Sequence, residues 1–358
     1  MVLPTSGSTI KFSDIRNEFG GTSNNNIGSY RISETYGDKN YTLDTGIPSS
    51  GTIRWSDFND KRLNLVVDCY ADCADNRVVA RDEYDNNNVS IVGSGTLNSP
   101  AKTKPTNTSG NKVDIRVNKT IGSVRNGYQA YCALRTGDWE TNTALWVDVG
   151  SQGKICGAGG NGGAGGDGTG DGGDSGYSGG DATSALGLAQ DGVQVKIESG
   201  GALIGGFGGG GGGGGAGTDD GNTPEESGGG GGGGGAGIPG GLGGIRGEGE
   251  EGESKHGIAG EEPFLGQEDG GAGGGPTDTT GDDPGCHETG YGGRGGDFTD
   301  PPQPGGTDCG SSAPNGAAGG NGFGVIFAES DYSLTWRDTT SSDKLYNGAA
   351  HVADGVLP

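Results

Sequence analysis

Alternating apolar and polar residues mark short strands between residues 61 and 156. Val113–Val117 alternates aliphatic with charged side chains, and Leu145–Val149 places an aliphatic residue at every second position. Such alternation is typical of a strand with one buried face. No stretch of a dozen residues has the three-to-four-residue spacing of an amphipathic helix. We therefore predict a mainly β chain with almost no α-helix, and a β-sandwich-like domain over residues 61–156.

One pattern occurs three times along the chain. An alternating strand, a polar turn, an aliphatic residue and then glycine follow one another in Val113–Gly122, in Val147–Gly157 and in Val193–Gly205. The second and third copies lead directly into a glycine-rich region. The pattern indicates that the strands and the glycine-rich region share one design.

The first 60 residues contain a second repeat, because Leu3–Ile15 matches Ile47–Phe58. Each copy predicts a proline-led turn followed by a short strand, with Ser13 or Ser56 available to cap a short helix. Asp14–Phe19 has the apolar spacing of about one helical turn. A module of this size buries little surface alone, so we expect it to fold against a partner chain or a second copy.

Two unbroken runs of eight glycines, Gly208–Gly215 and Gly228–Gly235, flank the polar stretch Thr218–Ser227. Residues 157–324 hold 69 of the 86 glycines. Glycine loses more conformational freedom on folding than any other residue, so this region is either disordered or ordered where only glycine fits. Aliphatic residues just outside the runs, such as Leu203, favour order. We expect a bundle of polyproline-II-type helices, which have three residues per turn and no internal hydrogen bonds.

Four segments follow from these patterns. They are an N-terminal module (1–60), an all-β domain (61–156), a glycine-rich polyproline-II bundle (157–324) and a short C-terminal β segment (325–358). Polar stretches within the bundle are expected to be turns between its rungs. These stretches are Asp167–Asp174, Thr218–Ser227, Glu248–Asp269, Pro276–Thr289 and Asp297–Pro314.

The formal net charge of −24 comes mostly from the bundle, where 25 Asp and Glu residues face four Lys and Arg residues. This charge argues against nucleic acid and anionic membranes as partners. The sequence also shows no secretory signal and no apolar stretch long enough to span a membrane. Asp167–Asp174 has a partial likeness to calcium-binding repeats, so structural calcium stays an option, and we expect no other cofactor.

Nothing in the sequence indicates catalysis. The three histidines, His256, His287 and His351, lie in glycine-flanked turns or near the C-terminus, away from a predicted scaffold. Cys69 and Cys73 have loose metal-ligand spacing, but no second pair is nearby. We expect the chain not to be an enzyme.

The N-terminal pattern resembles the N-terminal module of many tailed-phage tail-fibre and virion structural proteins. The resemblance covers about 60 residues and rests on Pro4–Gly7, Ile10–Ile15, Glu18–Gly21, Ile27, Ser33, Glu34, Tyr36 and Ile47–Ile53. It implies attachment to other tail or baseplate proteins through residues 1–60, and a location in the virion tail. In that family a Gly/Arg-rich segment often follows, whereas this chain has Gly37–Asn40.

The bundle, over roughly residues 190–325, resembles the distal domains of tail-fibre adhesins of T-even-like phages. In those adhesins glycine-rich motifs build a bundle of polyproline-II-type helices, and the loops between them contact the host. The resemblance implies attachment to a host surface glycan or outer-membrane receptor, by a homo-oligomer with a trimer favoured. It rests on composition and segment layout, so it transfers no single binding residue.

Other functions remain open from the sequence. The first alternative is a structural decoration or connector protein of the virion without a receptor. The second is a polysaccharide depolymerase, which would need paired carboxylates in a rigid cleft. Within residues 61–156, Trp139 or Tyr128 is either a stacking platform for sugars or part of the core.

If the two glycine runs are antiparallel, Thr218–Ser227 lies at one end of the bundle and Pro276–Thr289 is the next turn at that end. We expect these two turns to form one acidic face that binds the receptor. The predicted contributors are Asp219, Asp220, Glu225, Glu226, Asp282, Asp283 and His287.

Overall fold

The protein is described from a computed structural model. The described residues are 3–36, 39–69, 77–94, 97, 104–125, 130–169, 172–218, 225–248, 271–274, 293–296, 303–305, 317–321, 326–328, 332–337 and 345–346. The described helices are α1 (Phe12–Phe19), α2 (Ala80–Asp85) and the 3₁₀ helices Ile27–Tyr30 and Trp55–Phe58. The described strands, in chain order, are β1 (Glu34–Tyr36), β2 (Lys39–Tyr41), β3 (Asn64–Cys69), β4 (Val78–Val79), β5 (Val89–Ile91), β6 (Lys112–Val117), β7 (Thr120–Ile121), β8 (Leu134–Arg135), β9 (Ala144–Val149), β10 (Lys154–Cys156), β11 (Gly168–Thr169), β12 (Gly172–Gly173), β13 (Leu186–Leu188), β14 (Val193–Ile197), β15 (Ala202–Ile204), β16 (Ala216–Thr218), β17 (Glu225–Ser227), β18 (Ile326–Ala328), β19 (Leu334–Trp336) and β20 (Leu345–Tyr346).

Three parallel sheets form the body of the protein. Sheet 1 has the order β5-β3-β6-β9-β14-β19, sheet 2 the order β4-β8-β13-β18 and sheet 3 the order β7-β10-β15-β20. All neighbours are parallel except β5, which is antiparallel to β3. From β6 onwards the chain visits sheets 1, 3 and 2 in turn and then starts the next coil in sheet 1. This topology is that of a three-sided parallel β-helix.

Aliphatic side chains stack from coil to coil inside the β-helix. In sheet 1 the aligned residues Val67, Ile115, Val147 and Val195 are all fully buried. Ile121, Ile155 and Leu203 form the corresponding row of sheet 3, and Leu134, Leu186 and Ile326 that of sheet 2. Burying each such side chain stabilises the fold by about 1.5–3 kcal/mol.

The prediction of a mainly β chain with almost no α-helix is confirmed. The β-sandwich-like architecture predicted for residues 61–156 is wrong, because the sheets of a sandwich are antiparallel and these strands pair in parallel. The three copies of the strand–turn–aliphatic–glycine pattern are successive coils, each with a strand of sheet 1 followed by one of sheet 3. The sheets therefore run across the predicted boundaries at 156 and 324.

The two N-terminal repeats fold alike. Lys11 donates its backbone N–H to Asp14 Oδ2 at 2.9 Å, and Arg54 donates its N–H to Asp57 Oδ2 at 2.6 Å. These aspartates cap α1 and the second 3₁₀ helix, so the expected capping by Ser13 or Ser56 is wrong. In both repeats a helix begins where we predicted a short strand, because the capping bond starts a helical turn directly after Lys11 and Arg54.

The module packs on the outer face of sheet 1 of its own chain. Glu18 Oε1 accepts the backbone N–H of Leu63 at 2.6 Å, and Glu34 Oε2 accepts that of Gly93 at 2.8 Å. Lys112 Nζ of β6 lies 2.9 Å from Asp44 Oδ1 of the module. This contact takes the place that we expected a partner chain or a second copy to fill.

The glycine-rich rungs are ordered and pair with one another. We number them rung 1 (157–168), rung 2 (172–183), rung 3 (205–215), rung 4 (228–238) and rung 5 (239–248). Neighbouring rungs are joined at every third residue. The backbone N–H groups of Gly206, Gly209, Gly212 and Gly215 of rung 3, for example, donate to four carbonyls of rung 2. A three-residue repeat of lateral bonds is that of packed polyproline-II-type helices, in which neighbouring chains satisfy each other.

The two runs of eight glycines are the enclosed rungs. Rung 3 is hydrogen-bonded to rungs 1, 2 and 4 and to segments 293–296, 303–305 and 317–321, so it is surrounded. A Cβ at Gly211 would lie 2.0 Å from the carbonyl oxygen of Ala317, and one at Gly231 of rung 4 would lie 2.1 Å from that of Gly244. Rung 1 lies at the edge and carries a side chain at every third position. Glycine content therefore follows how completely a rung is surrounded.

Candidate functional site

The chain reversals of the bundle lie at its end away from the β-helix, which we call the far end. Rungs 1 and 3 start directly after β10 and β15, and rung 2 leads back into β13. The hairpin of β11 and β12 and that of β16 and β17 are therefore both at the far end. Rung 5 also ends there, because Gly168 donates its N–H to the carbonyl of Glu248 at 2.8 Å. The prediction that Pro276–Thr289 is the next turn at this end is therefore wrong, since the chain already returns to it at Glu248.

The structure describes only two of the predicted receptor-binding residues. Glu225 and Glu226 lie in β17, paired with Thr218 and Gly217 of β16, and so stand at the far end. The remaining five, Asp219, Asp220, Asp282, Asp283 and His287, lie outside the described residues.

The two glycine runs are antiparallel, which is the condition on which the predicted shared face of the two turns depends. Rungs 3 and 4 are antiparallel, since Gly210 bonds to Gly233 and Gly213 to Gly230. Segment 271–274 runs towards the far end and segment 293–296 runs away from it, as their bonds to rungs 3 and 4 show. The described rungs on either side of Pro276–Thr289 thus point to the same end as Thr218–Ser227, although the second turn itself lies outside the described residues.

The residues considered for calcium and sugar stacking have other contacts. Asp167 Oδ1 accepts the N–H of Glu248 at 2.7 Å. Within the described ranges, no group of three or more His, Cys, Asp or Glu side chains is arranged to hold a metal ion. Trp139 donates its indole N–H to the carbonyl of Thr136 at 2.7 Å and packs edge-on against Tyr84. Tyr128 lies outside the described residues.

A second candidate site lies between the N-terminal module and the outer face of sheet 1. This module cleft has a volume of about 560 Å³. Its floor comes from the outward residues of sheet 1, Asn64, Lys112, Asp114, Trp146 and Lys196, with Arg337 beside β19. Residues 39–42 and 45–50 of the module form its other wall.

Charged groups surround the floor of the cleft. Asp148 is fully buried and binds Lys39 as well as Arg337, whose Nη1 is 2.9 Å away. The Trp146 ring lies between two cations, with Lys112 Nζ 4.1 Å and Arg337 Cζ 3.7 Å from its centroid. Lys196 makes no ion pair with any residue that the structure describes. Cation–π contacts of this kind hold the ring and the basic groups in fixed positions.

Two carboxyl groups under the cleft have opposite pKa shifts. Burial, and then the neighbouring charge of Asp148, raise the pKa of Asp114 to about 7. Burial alone would also raise the pKa of Asp148, but the Lys39 and Arg337 cations outweigh it and hold that pKa below its usual range. Because the two pKa values are shifted in opposite directions, the pair keeps one proton, on Asp114, over much of the acidic range.

Sequence reasoning missed the module cleft. Lys39, Asp114, Lys196 and Arg337 are far apart in the sequence, and each resembles a solvated charge on a strand or loop. The available signal was the alternation in Val113–Val117, whose polar residues would be exposed in a sandwich but are buried here.

Comparison of the chain with protein-family models, curated proteins and solved structures finds no match. The two α-helices among the described residues have eight and six residues, and neither is long enough to cross a membrane.

Proposed function

We propose that the chain is a virion tail-fibre or tail-tip protein that attaches the particle to the host cell surface through the far end of the bundle. One observation carries this proposal: the hairpins of β11–β12 and β16–β17 and the end of rung 5 meet at the end of the bundle away from the β-helix. The receptor is a surface glycan or an outer-membrane component, and the chain acts without catalysis.

The rigidity of the bundle supports this role. Rungs 3 and 4 are bonded laterally at every third residue, so the turns that they carry start from fixed positions. Binding by loops on a rigid scaffold loses less conformational entropy than binding by a flexible segment. The same scaffold tolerates changes in turn sequence, which suits recognition of varied surfaces.

The N-terminal module supplies the attachment to other tail or baseplate proteins in this proposal, and the assembly is a homo-oligomer with a trimer favoured. Its inward side covers sheet 1, which leaves its outer side for a partner. The alternative is a decoration or connector protein of the virion that has no receptor of its own.

Adsorption to host cells tests the role of the far end. Both turns, Thr218–Ser227 and Pro276–Thr289, are replaced by Gly-Ser sequence of equal length, and a milder variant carries Glu225→Gln with Glu226→Gln. We expect the turn replacement to abolish adsorption. The matched control, Asp82→Asn with Asp138→Asn, neutralises two exposed carboxylates on the β-helix and should adsorb normally. Unchanged adsorption by a replaced protein with unaltered thermal unfolding would favour the decoration alternative.

A further inference from the structure

The module cleft contains three buried oxygen atoms that lack a hydrogen-bond partner in the protein. They are Tyr41 Oη, Asn64 Oδ1 and Asp114 Oδ1, and all three residues line the cleft. Tyr41, Asn64 and Asp114 are only 3%, 2% and 2% exposed. Leaving such a group unpaired costs about 1–3 kcal/mol, so three of them in one cavity indicate a place where a ligand completes the bonding.

The chemistry of these atoms specifies a ligand that carries hydroxyl groups. Asn64 Nδ2 lies 3.5 Å from the Thr42 carbonyl oxygen, to which it donates, and this directs Oδ1 as an acceptor. Asp114 Oδ1 also accepts, whereas the Tyr41 hydroxyl both donates and accepts. Neighbouring hydroxyl groups on one small molecule can satisfy all three.

The charge of the cleft specifies an anion. Lys39, Lys112, Lys196 and Arg337 line it, and the carboxylates of Asp148 and Asp44 balance two of these four cations. Asp114 adds little negative charge below pH 7, because its buried carboxyl group has a pKa raised to about 7. The cleft is thus locally positive in a chain of net charge −24. Among the four cations, Lys196 alone forms no ion pair with a carboxylate that the structure describes.

We propose that the module cleft binds an acidic sugar, with ring hydroxyls bonded to Asn64, Asp114 and Tyr41 and the sugar carboxylate bonded to Lys196. The cavity of about 560 Å³ lies within the range of small-molecule sites, roughly 300–1,000 Å³. This site is separate from the far end of the bundle and does not depend on the attachment proposed above.

The cleft binds the sugar without cleaving it. Glycoside hydrolysis needs two carboxyl groups about 5–10 Å apart, on opposite sides of the bond that is cut. Asp114 and Asp148 lie side by side on β6 and β9, which pair directly, and Asp148 is fully buried. Asp114 therefore serves as a hydrogen-bond acceptor for the ligand. The two carboxyl groups are not placed as a general acid and a nucleophile on opposite sides of a bond.

Calorimetric titration of the full chain at pH 6 with sodium glucuronate, glucose and sodium acetate tests the proposal. We expect glucuronate to bind at least about tenfold more tightly than either glucose or acetate, because only glucuronate has both the hydroxyls and the charge. Equal affinity for acetate would make the cleft a simple anion site, and equal affinity for glucose would remove the role of Lys196. Either result overturns the proposal. It is also overturned if glucuronate does not bind at about 50 mM, which is near the weak end of useful affinity.

Variants identify the site of binding. Lys196→Gln should weaken glucuronate binding by about tenfold and leave the weak binding of glucose unchanged. Tyr41→Phe preserves the shape of the cleft and should weaken both sugars severalfold. The matched control is Lys154→Gln, which removes an exposed lysine from β10 of sheet 3 and should bind as the parent does. Glucuronate binding that survives Lys196→Gln would place the sugar elsewhere.

Discussion

The Oδ1 atom of Asn161 accepts a hydrogen bond from the backbone N–H of Leu242, 2.9 Å away on the neighbouring rung. Six residues further along rung 1, Asp167 binds the N–H of Glu248 in the same way. A rung at the edge of the bundle has N–H groups that no further rung can reach, and these short side chains satisfy them. Asn and Asp at the non-glycine positions of rung 1 are therefore part of the bundle itself.

Asn161→Ala should loosen rung 5. The change leaves the Leu242 N–H with water as its only partner, so we expect a loss of about 0.5–1.5 kcal/mol of unfolding free energy. Amide hydrogen exchange at Leu242 should accelerate more than exchange within rung 3. The control Asp174→Ala removes an exposed carboxylate from rung 2. Unchanged exchange at Leu242 in Asn161→Ala would show that the side chain does not hold rung 5.

Gly231→Val should prevent rung 4 from packing. A Cβ at this position would lie 2.1 Å from the carbonyl oxygen of Gly244, which belongs to backbone and cannot move aside alone. We expect insoluble protein or a fall in melting temperature of more than about 10 °C, and the same for Gly211→Val. Ala164→Val adds volume on the outer side of rung 1 and serves as the control. A normal melting curve for Gly231→Val would contradict the enclosed position of rung 4.

The bundle was predictable because its sequence permits few structures. Eight consecutive glycines bordered by aliphatic residues suit a rung that touches backbone on every side, and Gly211 shows this contact. The antiparallel direction of rungs 3 and 4 entered the prediction only as a condition, and the structure meets it. The sequence did not predict which rungs lie next to rungs 3 and 4, because hydrogen bonds between backbones require no particular side chains.

The β-helix was missed because alternation alone does not distinguish parallel from antiparallel pairing. Val113–Val117 has the pattern of a half-exposed strand, yet all its residues are buried, since the N-terminal module covers the outer face of sheet 1. The sequence did carry a signal of the β-helix, because the three copies of the repeat in Val113–Gly122, Val147–Gly157 and Val193–Gly205 are successive coils. The module cleft depends on residues from separate coils, so it appears only once the coils are stacked.

Asp114→Asn should change how stability depends on pH. The pKa of Asp114 is about 7 in the folded protein, above the ordinary value of an unfolded aspartate. Asp114 thus contributes stability that is complete below about pH 4 and is lost as the pH rises through 7. Between pH 5 and pH 8 the parent should lose about 2 kcal/mol of unfolding free energy relative to Asp114→Asn.

Urea unfolding at pH 5, 6, 7 and 8 measures this difference. The shift of Asp148 is in the opposite direction, so its titration falls below this range and does not obscure the result. Asp82→Asn, which changes an exposed carboxyl group of α2, is the control and should follow the parent at every pH. Parallel curves for the parent and Asp114→Asn would mean that Asp114 titrates as an ordinary aspartate.

Trp55→Ser should block incorporation into virions if the N-terminal module is the anchor. Deleting residues 1–60 is expected to abolish incorporation, but it also uncovers Lys112 and Asp114, so docking and folding would be lost together. Trp55 is 47% exposed on the outer side of the module and touches Phe12 edge-on, which makes it the sharper target. We expect Trp55→Ser to melt within a few degrees of the parent, as variants at partly exposed positions do, while immunoblots of purified particles no longer detect the protein.

The control Ile245→Ser removes an apolar side chain that is 72% exposed on rung 5, and this variant should be incorporated normally. Normal incorporation of Trp55→Ser would move the anchor to another surface of the chain.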